Sequence, residues 1–225
     1  MPTGANPAYA VVFLLLAGLL LAVAVGVGGW AWVLLWPVVS LAVVAAGYGL
    51  VGPRVFGKRR DGTLPAQNVA LLFPLLQLLW AIWHVQRAVS RDPAWHEVAP
   101  GLLLGRRVLA RERPEAGLVI DLTSEFTEPR AVRSLPGYRC LPTLDASAPH
   151  DLARFREVVA EVAAFDGRVF VHCANGRGRS AVFAAAVLVA RGMELKEALK
   201  TVRAGRTSVR LNRVQLSWLR RVAST

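Results

Sequence analysis

Apolar residues are distributed unevenly along the chain. Residues 8–27 form an unbroken apolar run, and after Gly28-Gly29 a second run extends from Trp30 to Val51, interrupted only by Pro37, Ser40 and glycines. Each is near the ~20 residues that an α-helix needs to cross a bilayer. The pattern predicts a transmembrane helical hairpin over residues 1–52. Ala22-Val23-Ala24 resembles a signal-peptide cleavage site, but no Lys or Arg precedes the run and a second run follows at once. Trp30, Trp32 and Trp36 fall where an interfacial aromatic belt belongs. The next segment, Arg54-Val55-Phe56-Gly57-Lys58-Arg59-Arg60, is basic and is expected on the cytoplasmic side, which places the N-terminus there too.

A third apolar stretch, Val69 to Trp83, is 15 residues long and carries Pro74 and Gln77. Residues 53–92 are therefore read as a basic loop followed by an interfacial or third membrane helix. The in-plane placement is favoured. A third crossing would put basic flanks on both sides and carry the downstream thiol site out of the reducing compartment.

From Ser90-Arg91-Asp92-Pro93 onward the pattern changes to short alternating elements, which marks residues 93–225 as a separate domain. Val98 to Leu104, Gly117 to Leu122, Tyr138 to Leu141 and Arg168 to Val171 read as strands. His150 to Phe165 reads as a helix, with Leu152, Phe155, Val158, Val159, Val162 and Phe165 on one face. Helices are also predicted over 180–190, 194–203 and a last segment carrying Val214, Leu216, Trp218, Leu219 and Val222. This alternation predicts an α/β domain with a mostly parallel central sheet flanked by helices, preceded by N-terminal transmembrane helices.

Charge sharpens the division. The net charge is +12. Residues 1–90 carry five basic side chains and one acid, so most of the excess lies in the C-terminal part. That part suits an acidic substrate or an anionic membrane surface. No basic-aromatic interleaving or nucleic-acid motif is present, so nucleic acid is not expected as a partner. Cys140 and Cys173 are too few for a disulfide framework. Cys140 reads as a small buried residue, with a redox partnership to Cys173 as the alternative.

The candidate chemistry lies in Val169-Phe170-Val171-His172-Cys173-Ala174-Asn175-Gly176-Arg177-Gly178-Arg179-Ser180. A buried strand runs into a glycine-containing loop, and Ser180 opens a run of helix formers. Inward-facing backbone N–H groups and a helix N-terminus suit a phosphate-sized anion. Gly176 and Gly178 allow the turns and close approach this requires. Arg179 can grip two phosphate oxygens, and the same field stabilises a thiolate at Cys173. Arg177 adds a cation at the rim or is simply solvated. Displacing an alkoxide also needs a proton donor opposite the thiolate. Asp145, in Leu144-Asp145-Ala146-Ser147, is the candidate, because Asp151 is the better cap for the helix that follows. No metal-ligand spacing is found.

His172-Cys173, then five residues, then Arg179-Ser180 resembles the signature loop of the cysteine-dependent phosphatases. Residues from about Trp95 to the C-terminus are similar to a dual-specificity phosphatase domain, through Ala99-Pro100-Gly101-Leu102-Leu103-Leu104-Gly105, Val119-Ile120-Asp121-Leu122-Thr123, the loop Asp and Leu211-Asn212-Arg213-Val214-Gln215-Leu216. The Leu-Asp-Ala-Ser segment resembles the branch of phosphatidylglycerophosphate phosphatases. The resemblance implies a phospho-cysteine intermediate, with Cys173 as nucleophile, Asp145 as acid and then base, and Ser180 bonding to the departing sulfur. His172 would orient the loop, and Arg179 with the amides of Ala174, Asn175, Gly176, Arg177 and Gly178 would bind the phosphoryl group. No cofactor or metal is implied. The expected activity is that of a multi-pass inner-membrane phosphatase, catalytic domain on the cytoplasmic side, acting on a lipid phosphate such as phosphatidylglycerophosphate or a phosphoinositide. The alternatives are a membrane-bound protein tyrosine/serine/threonine phosphatase and a non-catalytic phosphate-binding membrane module. The sequence leaves the oligomeric state open.

Overall fold

The computed structural model describes residues 4–223. Helix α1 spans Pro7–Val27. A 3₁₀ turn, Gly29–Leu34, reverses the chain into α2, Leu35–Ala46. The second apolar run is thus not one continuous α-helix. It continues as a single π-turn, Gly47–Val51, and a 3₁₀ turn, Gly52–Phe56, and Gly52 (φ 72°) sets the break between them. α1 and α2 pack against each other as the predicted hairpin. Trp30, at the hairpin tip, is 78% exposed.

The third apolar segment is longer than its pattern suggests. Helix α3 spans Ala66–Val89, 24 residues. Pro74 sits inside it, and a proline there removes the N–H that would bond the carbonyl four residues back. That carbonyl, Ala70 O, accepts instead from Trp36 Nε1 at 3.0 Å, and Ser40 Oγ donates to Leu71 O at 2.7 Å. α2 therefore satisfies the α3 backbone where the proline disturbs it. By length and composition the segments Pro7–Val27, Gly29–Phe56 and Ala66–Val89 are each long and apolar enough to cross a membrane.

The remainder is an α/β domain. Strands β1 (Trp95–Ala99) and β2 (Leu102–Arg106) form a hairpin where the sequence suggested one short strand. They are followed by β3 (Leu118–Thr123), the short α4 (Arg130–Arg133), β4 (Tyr138–Thr143), α5 (Leu152–Ala164) and β5 (Val169–Cys173). The chain then runs through α6 (Arg179–Ala190), α7 (Leu195–Gly205) and α8 (Arg213–Ala223). The sheet order is β1-β2-β5-β3-β4, parallel throughout except for β1 with β2. β5 is central and buried at all five positions, as a parallel strand covered on both faces must be. Asp151 caps α5 as expected, its Oδ1 accepting from Arg154 N at 2.9 Å. One face of the sheet packs on α5, α6 and α8, where Phe155 meets Phe183 and Trp218 edge-on at 5.5 and 5.0 Å. Cys173 belongs to that face, whereas Cys140 lies in the cluster on the other face, with Leu103, Val119 and Phe170. Both thiols are free.

Candidate functional site

β5 ends at Cys173 between the C-terminal ends of β2 and β3, paired to Arg106 on one side and one residue beyond the His172–Asp121 pair on the other. Ligands in such sheets bind beyond the carboxyl ends of the strands. The following loop turns tightly. Gly176 has φ 67°, and a Cβ there would overlap the Gly105 backbone. Gly178 packs against the Gln215 amide, where a Cβ would come within 2.9 Å. The path of the loop thus requires glycine at Gly176, whereas at Gly178 the neighbour is the tip of a side chain that can move.

The loop wraps the sulfur. Gly176 N donates to Cys173 Sγ at 3.2 Å, and Ser180 Oγ lies 3.3 Å from it. Arg179 opens α6, buried. Its Nη1 donates to Glu125 Oε2 and to Thr143 O, both at 2.9 Å, and its Nη2 to Glu125 Oε1 at 2.7 Å. Asp145 Oδ1 lies 3.2 Å from Nη2, with a side chain 64% exposed. Arg179 Nε is buried with no partner among the described residues. A buried guanidinium donor left open beside a backbone cradle is suited to bind an anion.

The sequence-derived candidates therefore converge. Cys173, Gly176, Arg179, Ser180 and Asp145 meet at the end of β5, with Ala174, Asn175 and Gly178 completing the loop. Arg177 is exposed at the rim and forms no ion pair among the described residues. His172 is fully buried and stacks on Phe170 at 5.3 Å, and neither ring nitrogen has a hydrogen-bond partner among the described residues.

Sequence reasoning missed several residues. Glu125 grips Arg179 bidentately. Burial alone would raise its carboxyl pKa, but the Arg179 charge and hydrogen bonds hold it below the ordinary value. For Arg179 burial acts downward, and Glu125 with Asp145 more than reverses it. Trp83, at the end of the third apolar stretch, is 2% exposed, and its Nε1 donates to Ala174 O in the loop at 3.1 Å. Arg206 Nε donates to Gly176 O at 3.0 Å. Holding that carbonyl outward turns the next N–H, that of Arg177, toward the cradle. Asn6, ahead of α1, donates from Nδ2 to Ala146 O at 2.9 Å, and Asn212 donates to the same oxygen at 2.7 Å. Ala146 has φ 54°, so the loop carrying Asp145 is held in a left-handed turn by partners from both ends of the chain.

Lys58 departs furthest from expectation. It belongs to the basic segment expected on the cytoplasmic side, and its side chain is fully buried. Nζ donates to Asp121 Oδ2 at 2.5 Å, Thr123 O at 2.9 Å and Thr123 Oγ1 at 2.7 Å. Asp121, Glu128 and His172 bring ligand atoms within 4.8 Å of one another. Lys58 on Asp121, and Arg107 on Glu128 at 2.8 Å, supply this cluster with cations from the chain itself. Cys140 Sγ lies 4.0 Å from Asp121. Burial, then the Asp121 charge, push its thiol up to about 12, the reverse of what a redox partner needs.

Beside the loop a cavity of about 170 Å³ is lined by Ser124, Glu125, Asp145, Ala174 and Asn175 on one side and by side chains of the N-terminal helices on the other. Across Trp83, Gln86 and Asn175 from it lies a small cleft carrying Arg87, Arg106, Arg177 and Arg206.

A model of the dual specificity phosphatase catalytic domain matches residues 115–225. None of the curated proteins compared matches the chain. Among solved structures, Tk-PTP in its active form is 24% identical, with a TM-score of 0.51, covering 59% of this chain and 97% of its own. Human DUSP28 is 26% identical with a TM-score of 0.49, covering 59% and 95%. PTPMT1 in complex with PI(5)P is 23% identical with a TM-score of 0.49, covering 58% and 95%. The likeness to Tk-PTP shows the fold.

Proposed function

Residues 115–225 belong to the dual specificity phosphatase catalytic-domain family, a cysteine-dependent phosphatase, and from that premise we propose that the chain is a membrane-anchored hydrolase of lipid phosphomonoesters. The observation that carries the lipid reading is the cavity. The anion cradle opens onto a space walled by apolar helices long enough to cross a bilayer.

Cys173 attacks phosphorus, and the P–O bond to the leaving group breaks as the S–P bond forms. The loop amides and Arg179 stabilise the equatorial oxygens, with Nε and Nη2 as the guanidinium edge facing the anion. Asp145 leans on Arg179 and is exposed enough to turn onto the leaving oxygen. It protonates that oxygen, then takes a proton from the water that hydrolyses the phospho-cysteine. Ser180 hydrogen-bonds the departing sulfur, and Arg177 adds positive charge at the rim.

The places where the helices are tied support a membrane arrangement. Gly4 and Asn6 bond to the loop at Ala146–Ala148, ahead of α1. Lys58, Gly62 and Leu64, ahead of α3, bond to residues 121–128. Trp83 and Arg87, at the far end of α3, bond to Ala174 and Glu112. Both ends of α3 thus meet one catalytic domain, which supports an in-plane helix over a crossing one. We place α1–α2 across the inner membrane, α3 in its cytoplasmic interface, and domain limits at residues 1–52, 53–92 and 93–225.

Full-length protein in mixed micelles tests the reading. Phosphate release from a short-chain lipid phosphomonoester should exceed that from a phosphotyrosine peptide. Cys173→Ser should lose turnover yet still bind the lipid. A peptide preference would assign the site to phosphoproteins.

A further inference from the structure

The cavity is composite. Its floor belongs to the catalytic domain, and its walls are Tyr9 and Phe13 of α1, Tyr48 after α2, and Leu75, Leu79 and Trp83 of α3. Tyr48 is 5% exposed, stacked between Tyr9 at 5.2 Å and Phe13 at 5.5 Å. Tyr9 and Ile82 also line it, and both are 41% exposed, so the space opens between α1 and α3 on the apolar flank of the molecule. The membrane helices do more than tether the enzyme: they build part of its substrate site.

We propose that this cavity is the leaving-group subsite, and that it takes a lipid phosphomonoester whose alcohol is uncharged and apolar, drawn sideways from the bilayer between α1 and α3. This deepens the lipid reading above and rests on it. Asp145 lines the cavity, so the ester oxygen it protonates lies at the cavity mouth and the carbons beyond enter the apolar space. Among the described residues, no Lys, Arg or His lines the cavity; its charged groups are Glu125 and Asp145. A second phosphate in the leaving group would meet Glu125 and Asp145 there, with Arg179 already committed to Glu125 and the reacting phosphoryl group and no further cation in the lining, which is costly in a space this apolar. The four arginines of the neighbouring cleft lie across Trp83 and Asn175. After phosphoryl transfer to Cys173 and proton transfer from Asp145, the product is a neutral lipid alcohol, which returns to the bilayer by the same opening.

The experiment compares kcat/KM of the full chain in mixed micelles for phosphatidic acid, phosphatidylglycerophosphate and a soluble aryl phosphate. Leu79→Glu and Ile82→Glu are measured beside the wild type. Ile82 is part-exposed, so its substitution tests the opening without loading the core. The wild type should favour phosphatidic acid over phosphatidylglycerophosphate by about tenfold or more. Each variant should lower kcat/KM for phosphatidic acid about tenfold more than for the aryl phosphate, the effect of about two buried methylenes. Equal losses on both substrates would reduce the cavity to a structural feature and overturn the proposal. A wild-type preference for phosphatidylglycerophosphate would also overturn it, pointing to the arginine cleft while leaving the lipid reading standing. Faster turnover of the aryl phosphate than of either lipid would overturn the lipid reading itself.

Discussion

Two carboxylates leave the same end of β3 four residues apart, and each holds a buried cation. Asp121 holds Lys58, and Glu125 holds Arg179. The pairs differ in what is left over. The Lys58 ammonium has three donors, and three acceptors meet it. Asp121 is equally occupied, accepting also from Tyr138 Oη and from Thr123 N and Oγ1. Burial would raise the Asp121 carboxyl, yet the Lys58 charge holds it well below its usual range. Arg179, equally buried, keeps Nε unpartnered and faces the cradle. A fully satisfied buried pair is a structural fastener, and one with an open donor is prepared for a ligand. The fastener's cation comes from the segment between α2 and α3, so the N-terminal helices are tied into the catalytic domain. It grips Thr123, two residues from Glu125, and so supports the loop that aims Arg179.

The largest effect that separates the pairs is expected from Lys58→Met. It strands Asp121 without a countercharge and should cost about 3–5 kcal/mol of stability, read as a lower melting temperature in detergent. Lys58→Met combined with Asp121→Asn should recover much of it. If the double variant is no more stable than the single, the ion pair is not what holds the linker. Arg179→Lys should do the opposite. Its charge remains, but the fork is lost, so kcat/KM should fall about 10²-fold or more with a smaller change in melting temperature. A catalytic loss from Lys58→Met as large as that from Arg179→Lys, at a temperature where both remain folded, would erase the distinction.

The same comparison explains what the chain disclosed in advance. The strand, loop and helix carrying Cys173 and Arg179 are contiguous, so their chemistry is written in a dozen neighbouring residues. Asp151 capping α5 is equally local. The partners that complete the site are remote: Glu125 lies 54 residues from Arg179, Lys58 63 from Asp121, Trp83 91 from Ala174 and Asn6 140 from Ala146. No periodicity links such positions, because tertiary folding alone brings them together. Trp83 and Lys58 were misplaced for a shared reason. A tryptophan or lysine beside an apolar run is assigned by its place relative to a membrane, and that rule contains nothing about a catalytic domain folding back onto the run. α3 faces the phosphate loop as well. Its length was underestimated because Gln77, His84 and Gln86 lower the hydropathy without breaking the helix, and because Trp36 and Ser40 serve the carbonyls around Pro74.

The smallest effect concerns a cation tied to the loop from outside. Arg206 Nη1 lies 2.8 Å from His96 Nδ1 while its Nε holds Gly176 O. For both contacts the ring nitrogen must accept, so His96 is neutral. Burial first, and the Arg206 charge second, lower its pKa from the ordinary value, against a weaker opposite pull from Asp92. The folded protein therefore binds fewer protons at this ring than the unfolded chain does. Its contribution to stability is complete above the ordinary histidine pKa of about 6.5 and declines as the pH falls through that value. Between pH 7.5 and 5.5 the wild type should lose melting temperature relative to His96→Gln, which keeps an acceptor but cannot charge. The ring is only part-buried, so screening should hold the difference within about 2–4 °C. The acid limb of kcat/KM should shift in step, since a charged ring pushes Arg206 away from the Gly176 carbonyl. Identical profiles for the two proteins would show that Arg206 holds the loop without help from His96, and that Lys58 and Arg179 are the buried cations on which the site depends.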